Sequence, residues 1–61
     1  MDKDMIEFYL NEIKKSKTKR EARAYGIIVK HILEEYESIY PEEIKKYKKE
    51  LGSLLLYKVI Q

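Results

Sequence analysis

The 61 residues are 44% apolar and 39% charged, with only ten in neither group, so the chain holds material for a core and a solvated surface but little for a catalytic apparatus. The absence of cysteine excludes disulfides, a single histidine, His31, argues against a structural zinc site, and no cofactor is expected. Thirteen basic against eleven acidic residues leave a net charge of +2, too balanced for a protein that coats nucleic acid.

At this length the expectation is one domain, residues 1–61, and a domain of about 60 residues buries only about 60% of its unfolded surface. It needs regular helix packing or self-association to reinforce it. The longest apolar runs, Ile27 to Val29 and Leu54 to Tyr57, are far too short to cross a bilayer, and the chain reads as cytoplasmic.

The first predicted helix covers 4–15. At about 100° per residue, Met5, Ile6, Phe8, Tyr9, Leu10 and Ile13 share one side, with Glu7, Asn11 and Lys14 opposite. Lys14, Lys15 and Lys17 suit the negative pole at its end.

The run Thr18-Lys19-Arg20-Glu21 has the form of a capping box and predicts a second helix over 19–38. Its apolar residues, from Ala22 through Tyr25, Ile28, Val29, Ile32, Leu33, Tyr36, Ile39 and Tyr40, fall within a stripe about 140° wide. Within it, Ala22, Gly26 and Ile32 resemble in spacing the small, glycine and aliphatic pattern of helix-turn-helix motifs, over residues 18–37. That resemblance implies a break at Gly26 and a recognition helix from Ile28, reading bases through Lys30, His31 and Glu34. The sequence departs from it because Gly26-Ile27-Ile28-Val29 offers no cap and the apolar stripe keeps its phase, so one continuous helix is expected. Gly26→Ala should then stabilise, unless a neighbouring helix presses on the glycine.

Tyr40-Pro41-Glu42-Glu43 places proline at a helix start and acids in the first turn, predicting a third helix over 42–60 after a turn at 38–40. Ile44, Tyr47, Leu51, Leu54, Leu55 and Val59 form its inner face, and Gly52-Ser53 is a soft spot, about 1 kcal/mol less favourable than alanine, open to a bend or a restart. The fold class is all-α, a small three-helix domain.

Two surfaces stand out. Leu56, Tyr57 and Ile60 project away from the inner face of the third helix, and Ile27 projects from the polar side of the second. With Leu54 they form the expected protein interface, serving a homo-oligomer and a larger protein partner. Lys14, Lys15, Lys17, Lys19, Arg20 and Arg23, less Glu21, make a basic elbow of about +5. Lys15, Lys17, Lys19, Arg20 and Arg23 are the candidates for phosphate contacts in the alternative, nucleic-acid-binding function. The six tyrosines suit core edges, where the ring packs and the hydroxyl stays wet; the alternative, stacking on single-stranded bases, needs aromatics exposed beside positive charge, and only Tyr57 leaves the stripe. His31 has no nucleophile or convergent acid beside it, so the leading expectation is a non-enzymatic interaction module.

Overall fold

The computed structural model describes residues 3–60, the side chain of Ile60 excepted. Three α-helices, α1 (Lys3–Lys15), α2 (Lys19–Tyr36) and α3 (Pro41–Leu55), are followed by one π-helical turn, Leu56–Ile60. Among the described residues there is no strand, and the all-α three-helix class stands.

Each boundary follows from local chemistry. Asp4 in the first turn of α1 and Lys14 and Lys15 in its last complement the helix dipole. Beyond it, the Ser16 hydroxyl donates to the Ile13 carbonyl at 2.6 Å, satisfying an oxygen the helix leaves open. Thr18 is extended (φ −129°, ψ 155°), and its Oγ1 accepts the Glu21 N–H at 3.1 Å, which is the threonine half of the capping box. Pro41 opens α3, where a missing N–H costs nothing, and Glu42 and Glu43 occupy its first turn.

The helix α2 runs unbroken through Gly26, and no described residue has a positive φ. The restart that a helix-turn-helix requires is absent. Its end comes at Tyr36, two residues earlier than expected, where the Ile39 and Tyr40 N–H groups both donate to the Tyr36 carbonyl. α3 does not restart at the soft spot Gly52-Ser53: it stays α-helical through both residues, and the winding changes only after Leu55.

The core is Ile6, Leu10 and Ile13 from α1, Ala22, Val29 and Leu33 from α2, and Ile44 and Leu51 from α3. Spacings of three, four and seven within each helix are those of one narrow buried stripe. Around it pack half-buried Tyr9, Tyr25, Ile32, Tyr36, Tyr47, Leu54, Leu55 and Val59, with the Tyr9 and Tyr25 rings 6.0 Å apart. Five residues assigned to the apolar stripes, Met5, Phe8, Ile28, Ile39 and Tyr40, are exposed instead. In a bundle of three, each helix has two neighbours and covers only the middle of its apolar stripe, so residues at the margins stay in solvent.

Candidate interaction surfaces

The first surface is a groove of about 240 Å³ between α2 and the end of α3, lined by Gly26, Ile27, Leu51, Leu55 and Val59, with Arg23 and Lys30 at its rim. Gly26 creates it. A Cβ at this position would stand 2.9 Å and 3.2 Å from the two Leu55 methyl carbons, so the bare backbone lets Leu55 lie directly against α2. Ile27 is 53% exposed beside it. Arg23 and Lys30, two turns apart on α2, have no acidic partner within ion-pair distance among the described residues.

The second surface is a hollow of about 380 Å³ at the elbow between α1 and α2, lined by Ser16, Lys17, Thr18, Lys19, Tyr57 and Lys58. Its far wall comes from the other end of the chain. Lys58, half-buried in the π-helical turn, donates from Nζ to the Ser16 carbonyl at 3.4 Å. That carbonyl lies at the negative pole of α1, which favours an ammonium there.

The five residues expected to form one apolar interface are therefore divided. Ile27 borders the α2–α3 groove, Leu54 is half-buried against the protein's own core, Leu56 is exposed, and Tyr57 lines the elbow hollow. The Ile60 side chain lies outside the described residues. The physical reason is that the five come from three elements: Ile27 stands on α2, Leu54 packs on the core side of α3, and Leu56 and Tyr57 belong to the turn that follows it.

The basic residues divide as well. Lys15 is tied to Glu12 at 3.2 Å, Arg23 turns to the groove, and Lys17, Lys19 and Arg20 remain exposed at the elbow. Lys58 was missed by sequence reasoning, and no local pattern could have found it, since 42 positions separate it from Ser16.

A third cluster lies between α1 and α3, where Tyr47 faces Glu7, Glu43, Glu50 and Lys3. Burial, and then the charge of Glu7 with smaller additions from Glu43 and Glu50, pushes the Tyr47 hydroxyl above its ordinary pKa of 10.0; Lys3 opposes them. Lys3 also pairs with Glu43 at 3.3 Å, and Lys14 with Glu50 at 3.8 Å. No group of three His, Cys, Asp or Glu among the described residues is placed to hold a metal ion. His31 is exposed on the polar side of α2.

Fold and surfaces together define a small helical bundle with an apolar groove on one side and a cationic hollow at one elbow. No family model, curated protein or solved structure matches the chain. No described helix is long and apolar enough to cross a membrane.

Proposed function

We propose that the chain is a non-enzymatic helical interaction module whose working surface is the α2–α3 groove, and that the groove takes an amphipathic helix of a larger protein with acidic residues along one edge. The observation that carries this is the pairing of an apolar floor with an unpartnered cationic rim. Gly26, Ile27, Leu51, Leu55 and Val59 offer apolar contact, while Arg23 and Lys30 select for carboxylates. Burying a few hundred Å² here at about 25 cal/mol/Å² also reinforces a small fold. The module is read as acting in the cytoplasm.

A second copy is the competing occupant, in keeping with a homo-oligomer. The chain's own exposed Phe8 stands beside Glu7 on α1, which contributes nothing to the groove. Docking one onto the other is a heterologous contact, which builds a ring or an open filament instead of a closed pair. A partner's helix meets no such obstacle.

The test is titration with two designed helical peptides sharing a leucine stripe, one flanked by Glu and the other by Lys, followed by backbone amide shifts. The Glu-flanked peptide should move Gly26, Ile27, Leu55 and Val59, Ile27→Asp should abolish the shifts, and Arg23→Glu with Lys30→Glu should reverse the preference. Equal binding of both peptides, or a dimer occupying the groove in sedimentation equilibrium without peptide, defeats the proposal.

A further inference from the structure

We propose that the elbow hollow binds single-stranded nucleic acid, with Lys17, Lys19 and Lys58 against backbone phosphates and Tyr57 stacked on a base. This surface is separate from the α2–α3 groove and does not depend on it.

Three observations converge. The first is charge without relief. Lys3, Lys14, Lys15 and Lys48 each sit within 4 Å of a glutamate, whereas Lys17, Lys19 and Arg20 have no acidic partner at that distance among the described residues. No Asp or Glu lines the hollow. Three lysines lining one hollow with no carboxylate among them make a positive potential that a polyanion neutralises.

The second is an aromatic ring in the right company. Tyr57 is 66% exposed, the most exposed of the large apolar side chains described, and it shares the hollow with three lysines. Stacking on unpaired bases needs an open ring face beside positive charge, and every base supplies a π-face whatever the sequence. A duplex shows only base edges in its grooves, so the ring favours a single strand.

The third is placement. Lys58 is held by the Ser16 carbonyl, so the lysines of the elbow and the ring of the C-terminal turn face one concavity before any ligand arrives.

Fluorescence anisotropy of labelled oligothymidine, run at several salt concentrations beside a duplex of mixed sequence, tests this. Binding should strengthen at low salt, and Lys17→Ala with Lys19→Ala should flatten the log–log salt slope by roughly 1.4, at about 0.7 per lost phosphate contact. Tyr57→Ala should weaken binding about tenfold or more with the slope unchanged, and Tyr57→Phe should retain it. Ile27→Asp, in the other surface, should leave it intact. Circular dichroism of each variant separates lost binding from lost fold. The proposal is overturned by an absence of binding at low salt. Tighter binding of the duplex or of phosphatidylserine vesicles also overturns it, as does an equal loss on replacing Lys45, Lys46 and Lys49 at the other end of the bundle.

Discussion

Tyr47 shows how one side chain ties stability to pH. Its hydroxyl is held above pKa 10.0 by burial and by Glu7, Glu43 and Glu50, so the folded state keeps the phenol proton to higher pH than the unfolded chain does. The stability carried by the neutral phenol is whole below pH 10, the unfolded value, and is lost as pH rises through the folded value, because only the unfolded chain gains by ionising first. Denaturant melts from neutral pH into the range above 10 should show wild type declining more steeply than Tyr47→Phe. The other tyrosines and the lysines are common to both proteins, so the difference isolates this hydroxyl. Parallel curves would mean that its burial costs the phenolate nothing.

At the scale of the helices, two glycines of one residue type have opposite environments. A Cβ at Gly52 meets nothing within 4 Å, so Gly52→Ala should stabilise by about 1 kcal/mol through helix propensity. The same change at Gly26 puts a methyl 2.9 Å from Leu55 Cδ2, and the leucine must shift to make room. Its propensity gain is offset by that repacking, so Gly26→Ala should be neutral or destabilising, contrary to what the continuous helix alone implies. Paired thermal melts decide the matter, and in a Leu55→Ala background the Gly26 substitution should recover its stabilising sign. Stabilisation by Gly26→Ala with Leu55 present would show that the close approach carries no energy. The sequence revealed that α2 is continuous, because its stripe keeps phase from Tyr25 to Tyr36. It could not reveal which helix lies against Gly26.

For the whole molecule, 61 residues at about 0.05–0.15 kcal/mol each imply roughly 3–9 kcal/mol of stability. Eight buried side chains hold it. Leu33 is 1% exposed, and Leu33→Ala should cost about 3 kcal/mol, enough to lower the melting temperature by more than ten degrees or leave the chain largely unfolded. A groove ligand present at a hundredfold its Kd restores about 2.7 kcal/mol, so the same variant should regain cooperative melting with the Glu-flanked peptide. A drop of only a degree or two in the variant would place the core elsewhere.

The sequence alone determined the three helices, the cap at Thr18, the proline start of α3 and most of the core, because helical period and capping act over a few neighbouring residues. The candidate residues were also legible as types, namely exposed apolar side chains at Ile27, Leu56 and Tyr57 and cations at Lys17, Lys19 and Arg20. Which of them work together was decided by the tertiary structure. Packing sets Tyr57 beside lysines 38 and 40 positions earlier, Lys58 closes on Ser16 across 42 positions, and Arg23 lines the groove instead of the elbow. Local patterns carry the direction of a side chain around its own helix. The partner it meets depends on how the helices pack and where their winding changes, and that is settled only when the core closes.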